Sequence, residues 1–262
     1  MKLPKSIVKI IGERPYSVEN NGMSNAQVIC FDDMVLKIGQ QSEESDQEYQ
    51  MMKWLTNKLP VPKIICFKQE NGINYLLMSK INGDISCSNE MLENPKQLVK
   101  LLAEGLRMLW DIDISTCPFH NSIDHQLKLG EIRLSNNPSF AKDTVKDKWG
   151  ENGFETNEQL LQWLKDNKPN EEFVFSHGDY CLPNIFIKDN KISGFIDLGG
   201  SGIADKYQDI AFCYRSLKYN FDGTYGGKVY EDFDPGVLFE ELGIVPDWGK
   251  IRYYILLDEL VY

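Results

Sequence analysis

The sequence predicts an α+β chain of two lobes, a small N-terminal lobe of β-sheet plus one helix and a larger, mainly helical C-terminal lobe. Three observations lead there. Two pairs of short β-prone runs crowd into the N-terminal third around one amphipathic stretch, apolar residues beyond it recur mostly at helical spacing, and 262 residues exceed the usual size of a single core.

The first pair is Ala26 to Phe31 and Met34 to Ile38, joined by Asp32-Asp33. The second is Lys63 to Lys68 and Tyr75 to Ser79, flanking Glu70-Asn71-Gly72, and each pair reads as a hairpin. Between them Ser45-x-x-Glu48 has the form of a capping box, followed by Met51, Met52, Leu55 and Leu59 at helical spacing and stopped by Pro60-Val61-Pro62. Ile81-Asn82-Gly83-Asp84 reads as a linker, so the lobes divide as residues 1–81 and 82–262. Asn94 caps a helix with Pro95 at its first position and Leu98, Leu101, Leu102, Gly105 and Leu109 on one face. Lys142 to Gly153 is polar and reads as loop. Glu158 to Asp166 is a short helix, Phe173 to Phe175 a strand, and Ile185 to Ile187 with Ile192 to Ile196 a hairpin across Asp189-Asn190. Helices near Asp205 to Tyr219 and Asp247 to Leu260 complete the pattern.

Composition narrows the function. Lysine and arginine number 28 against 39 acidic residues, a net charge of −11, which repels a phosphate backbone and favours cationic ligands. Nucleic acid is therefore an unexpected partner. No run of about 18 apolar residues predicts a membrane span. The six cysteines form no C-x-x-C pair, and no histidine stands at metal-ligand spacing, so neither a zinc site nor a disulfide framework is expected. With no apolar signal stretch after Met1, a reduced, cytoplasmic setting is the expectation.

The strongest chemical signal is Ser176-His177-Gly178-Asp179-Tyr180-Cys181-Leu182-Pro183-Asn184, followed by Ile196-Asp197-Leu198-Gly199. Phosphoryl transfer needs an acceptor hydroxyl aimed at phosphorus and divalent metal to neutralise the phosphates. A loop carboxylate such as Asp179 can meet the hydroxyl, while the Asn184 amide and the Asp197 carboxylate are hard oxygen donors suited to magnesium. Aspartate and asparagine also favour turns and caps; the two motifs in this order, with a hairpin between them, favour the chemical reading. His177 is expected to hold the loop backbone rather than carry protons. Upstream, Lys37 on a strand and Glu48 on the next helix can order nucleotide phosphates.

These residues make the chain resemble the aminoglycoside phosphotransferases, and closely their 3′-phosphotransferase branch, on a protein-kinase-like two-lobed fold. The resemblance runs through Gly22-Met23-Ser24, Trp54-Leu55, Lys58 to Pro62, Leu76 to Ser79, Ile112 to Ser115, Phe175 to Asp179, Asn184 to Phe186, Gly194 to Gly199 and Tyr253 to Leu260. It implies transfer of the γ-phosphate of ATP to the 3′-hydroxyl of aminoglycosides such as kanamycin and neomycin, conferring resistance. It further implies Asp179 as the catalytic carboxylate, Asn184 and Asp197 as ligands of two Mg²⁺ ions, and Lys37 with Glu48 on the ATP phosphates. Ser24 matches the phosphate loop, Met78, Ser79 and Ile81 the adenine hinge, and Ile196 an apolar wall of that pocket. Asp147, Glu151, Arg215, Asp258 and Glu259 fall where the family builds its aminoglycoside site, and converging carboxylates suit a polycation. Gly200 and Gly150 depart from the pattern and bear on drug spectrum.

A kinase of choline, homoserine or a sugar on the same fold is the alternative. A choline site built from aromatic cation–π contacts would have no need of Asp258-Glu259. A catalytically dead nucleotide-binding module is disfavoured by the intact Lys37, Asp179, Asn184 and Asp197, and a protein kinase by the lack of an A-P-E segment after Asp197-Leu198-Gly199.

Overall fold

The computed structural model describes residues 3–19, 26–136 and 153–261. The chain divides into two compact units, Met1–Ile85 with Asn184–Gly200, and Ser86–Pro183 with Ser201–Tyr262. The division read from the sequence therefore shifts. Residues 82–85 and 184–200 belong with the N-terminal unit, because pairing across the chain, which local patterns do not report, holds them there.

In the first unit, α1 (Lys5–Ile11) leads to β1 (Ser17–Glu19), β2 (Gln27–Cys30), β3 (Met34–Gln40), α2 (Glu43–Leu55), β4 (Ile64–Glu70) and β5 (Ile73–Ser79). The strands form an antiparallel sheet in the order β1-β2-β3-β5-β4, which makes β3 central. Alternation along β3 sends Met34, Leu36 and Ile38 into a core shared with Ile7, Ile11, Phe31, Tyr75 and Leu77. The core explains why α1 exists, since seven residues are too few to be helical without a partner. Asn71 and Gly72 both adopt positive φ, as the tight turn between β4 and β5 demands.

The cap of α2 differs from the expected box. Ser42 is the N-cap; its Oγ accepts the Ser45 N–H at 3.1 Å while Ser45 Oγ accepts the Ser42 N–H at 3.0 Å. Ser45 thus closes the box from inside the helix, and Glu48 is released for another role. Residues 81–84 are also more than a linker. The short strand β6 (Asp84–Ile85) pairs with β8 (Ile185–Lys188), and β8 pairs with β9 (Lys191–Phe195) across Asp189-Asn190, both at positive φ.

The second unit contains α3 (Asn89–Leu92), α4 (Pro95–Trp110), α5 (Ile123–Asn136), α6 (Asn157–Asp166), β7 (Phe173–Ser176), β10 (Gly202–Asp205), α7 (Lys206–Phe221), α8 (Val237–Leu242) and α9 (Trp248–Val261). The expected face of α4 is buried, Leu98, Leu101, Leu102, Gly105 and Leu109 included. β7 pairs antiparallel with β10, with Ser176 opposite Gly202. Asp205 caps α7 through the Tyr207 N–H at 2.9 Å and takes Lys250 Nζ from α9 at 2.6 Å, a fully buried carboxylate with its charge matched. α9 is buried nearly all round, through Ile251, Tyr253 to Leu257 and Leu260.

Candidate active site

Because β3 commits Met34, Leu36 and Ile38 to the core, Lys37 faces the other side of the sheet, where α2 presents Glu48. Lys37 Nζ donates to Glu48 Oε1 at 3.1 Å and Oε2 at 3.0 Å, and to Asp197 Oδ1 at 2.8 Å. Burial opposes the Lys37 charge, but Glu48 and Asp197 outweigh it and raise its pKa, so the ammonium stays charged. For Glu48, 5% exposed, burial wins over the attraction of Lys37, and the Asp197 charge adds to it; its pKa lies above the usual carboxylate value.

Asp197 reaches Lys37 from the turn after β9. Its φ of +56° is a left-handed conformation that a non-glycine residue holds only when its surroundings impose it. The surroundings are the next 3₁₀ turn, Leu198–Gly200, packed on α2: a Cβ on Gly199 would stand 2.8 Å from Glu44 Cγ. The glycine of I-D-x-G is thus a close-approach residue that docks the Asp197 turn under the helix carrying Glu48.

Asn184 is buried, and its carbonyl accepts the Ile196 N–H at 3.0 Å, which ties the two segments bearing Asn184 and Asp197 together. Among the described residues no group of three or more His, Cys, Asp or Glu side chains could hold a metal ion. Magnesium asks for less, since it takes one or two protein oxygens and completes its octahedron with phosphate and water. One amide and one half-exposed carboxylate fit that pattern. At the end of β5, Ser79 exchanges bonds with Lys63, its N–H donating to Lys63 O at 2.9 Å and its Oγ accepting the Lys63 N–H at 2.9 Å. Met78 is buried, Ile81 and Ile196 are half-buried, and Ile81 lies over Gly194.

Asp179 stands on a loop whose neighbours are fixed. His177, Gly178 and Tyr180 are buried while Asp179 is exposed. The Asp179 N–H donates to His177 Nδ1 at 3.3 Å, so the imidazole braces the backbone as expected. Tyr180 OH donates to Leu102 O at 2.8 Å, and the Leu182 N–H to Ser216 Oγ at 3.0 Å. The main anchor is a residue the sequence reading missed. Asp209, fully buried in the first turn of α7, accepts the His177 N–H on Oδ2 at 2.8 Å and the Gly178 N–H on Oδ1 at 3.0 Å. Burial pushes its carboxyl up to about 7 against the pull of those two N–H groups and Ser176, with the Asp179 charge adding to the rise. An acid followed directly by Ile210-Ala211-Phe212 on a buried helix face was the available signal.

Arg215 and Asp258, expected as ligand groups, are paired with each other at 2.7 Å between α7 and α9. Burial opposes the Arg215 charge but is outweighed, chiefly by Asp258, and its pKa rises. For Asp258 burial dominates, Arg215 offsets it, Asp179 adds to the rise and Arg133 opposes it. Glu259, next along α9, is half-buried. Ser24, Asp147, Gly150 and Glu151 lie outside the described residues.

Two clusters emerge, one of lysine, glutamate, aspartate and asparagine suited to phosphates and metal, and one with a rigidly presented carboxylate beside an ion pair. The chain belongs to the phosphotransferase enzyme family, whose model it matches over residues 19–254. Within that family it is 40% identical over 272 aligned residues to an aminoglycoside 3′-phosphotransferase of Enterococcus faecalis, covering 99% of this chain and 98% of the relative. An aminoglycoside 3′-phosphotransferase of Staphylococcus aureus is likewise 40% identical over 271 residues, at 99% and 98% coverage. A solved aminoglycoside phosphotransferase of Streptomyces rimosus, in complex with ADP and streptomycin, matches with a TM-score of 0.74 at 21% identity, covering 98% of this chain and 96% of that one. The family resemblance read from the motifs is borne out, and so is the kinase-like mixture of helix and sheet. No helix among the described residues is long and apolar enough to cross a membrane.

Proposed function

We propose that the protein is an aminoglycoside 3′-phosphotransferase, which moves the γ-phosphate of ATP to the 3′-hydroxyl of drugs such as kanamycin and neomycin and so confers resistance. The observation that carries this reading is 40% identity to two proteins of that name over 99% of the chain, joined to the ordered motifs around Asp179 and Asp197. The two compact units are then the two lobes of a protein-kinase-like fold, and the cytoplasm is its place of action.

Lys37, steadied by Glu48, holds the nucleotide phosphates by charge; Ser24 contributes from the phosphate loop. Backbone groups at Met78, Ser79 and Ile81 receive the adenine, with Ile196 as an apolar wall. Asn184 and Asp197 hold Mg²⁺, two ions by family pattern, which neutralises charge on the phosphates. Asp179 accepts the proton of the 3′-hydroxyl as that oxygen bonds to the γ-phosphorus, and the bond to the β,γ-bridging oxygen breaks to release ADP. Asp147, Glu151, Asp258 and Glu259 attract the ammonium groups of the drug, and Arg215, paired with Asp258, belongs to the same substrate-binding set. The excess of carboxylates in the chain favours a polycation over any nucleic acid.

Incubation with ATP, Mg²⁺ and kanamycin, followed by phosphorus NMR, tests the reading. One phosphate ester at the 3′ position is the expected product. Phosphorylation of choline or homoserine instead of the drug would transfer the assignment to the other small-alcohol kinases.

A further inference from the structure

α7 ends in two aromatic groups that face different ways. Phe221, 2% exposed, belongs to the core and stacks on Phe233 with centroids 3.7 Å apart. Tyr219 follows Arg215 by four residues and so shares its helix face. Past the helix the chain reverses at once. Asp222 Oδ1 accepts the Thr224 N–H at 2.9 Å, the Gly226 N–H reaches Gly223 O at 2.8 Å, and Gly223 and Gly226 adopt φ of +79° and +80°. This turn folds Tyr225 back onto Tyr219, edge to face with centroids 5.5 Å apart, and leaves Tyr225 59% exposed.

The location is what gives the pair meaning. Tyr219 stands one helical turn beyond Arg215, which pairs with Asp258 at 2.7 Å, so Tyr225, seated on Tyr219, extends the face of α7 that carries this ion pair. Partial burial raises the Tyr225 pKa, with Cys181 adding to the rise and Arg215 opposing it. Lys218 already stands 5.5 Å from the Tyr219 ring and is held by Asp222 at 2.6 Å. Tyr225 is the more exposed ring of the pair, Tyr219 being half-buried.

We propose that Tyr225, seated on Tyr219, is a substrate-binding residue that takes an ammonium-bearing sugar ring of the acceptor against its face. The inference rests on the aminoglycoside reading above. A cationic sugar attracted by a chain of net charge −11 gains a directional contact from an aromatic face that diffuse carboxylate attraction does not supply. Because the acceptor is the partner, the contact belongs to drug binding and leaves nucleotide handling alone.

The test is steady-state kinetics with kanamycin and ATP on the wild type, Tyr225→Ala and Tyr225→Phe, with melting temperature as a control on folding. Tyr225→Ala is expected to raise the kanamycin KM about three- to thirty-fold, the range of a cation–π contact, with ATP KM and melting temperature near the wild-type values. Tyr225→Phe, which keeps the ring, is expected to stay within about two-fold. An unchanged kanamycin KM in Tyr225→Ala overturns the inference while leaving the proposed function standing. A similar loss in both variants overturns it in favour of a hydroxyl hydrogen bond. Absence of kanamycin phosphorylation by the wild type sinks the functional reading itself, and this inference with it.

Discussion

Two aspartates in the same loop system illustrate different kinds of importance. Asp179 is exposed on a loop whose neighbours are buried, so Asp179→Ala is expected to lower kcat by roughly 10²- to 10⁴-fold with nucleotide affinity nearly intact, as for a group that acts on the acceptor hydroxyl. Retention of half the activity would remove it from the chemistry. Asp209 is a positioning residue, since its two oxygens accept the successive N–H groups of His177 and Gly178. An amide there can accept only one of them and opposes the other with its own N–H. Asp209→Asn is therefore expected to reduce kcat more than either KM. A pH signature separates this from mere loss of packing. The folded-state pKa, about 7, is raised above the unfolded value near 3.9, so the native state binds this proton more tightly. Its stabilising contribution is complete below about pH 4 and is lost as pH rises to about 7. Measured as denaturation midpoints, wild-type stability relative to Asp209→Asn should fall across that window and level off above it. A constant difference would mean that Asp209 does not titrate there.

Elements were legible in the sequence where periodicity and turn chemistry agreed. The β2–β3, β4–β5 and β8–β9 hairpins and helices α2, α4, α6, α7 and α9 all carried both signals. α1, β1, β6, α3, α5, β10 and α8 were missed because they are short or weakly patterned and are held by what they pack against or pair with. The same limit explains the site. Lys37, Glu48 and Asp197 could be chosen by residue type and order, but only the structure shows that Asp197 and Glu48 share one ammonium. It also shows that Arg215 and Asp258 are mutual partners. That geometry depends on the Leu198–Gly200 turn lying against α2. Gly199→Ala places a methyl 2.8 Å from Glu44 Cγ and is expected to cost about 1–3 kcal/mol of stability. It should raise the ATP KM several-fold through displacement of Asp197, with the drug KM little changed. Wild-type ATP kinetics in this variant would show that the close approach has no part in nucleotide handling.

At the scale of the whole molecule, a net charge of −11, a cluster of lysine, glutamate, asparagine and aspartate in one unit and an exposed loop carboxylate in the other support one reading, ATP-dependent phosphorylation of a polycationic alcohol. Charge attraction between drug and protein near the surface is screened by salt, whereas a covalent requirement for one hydroxyl is not. The central claim therefore turns on that hydroxyl. It is tested most directly by comparing kcat/KM for kanamycin B with that for tobramycin, its 3′-deoxy counterpart, at fixed ATP, Mg²⁺ and ionic strength, with tobramycin also assayed as a competitive inhibitor. The account predicts that tobramycin inhibits with a constant similar to the kanamycin B KM yet receives phosphate at least about 10³-fold more slowly, the loss expected when the reacting group is missing. Phosphorylation of both drugs at comparable rates would contradict it.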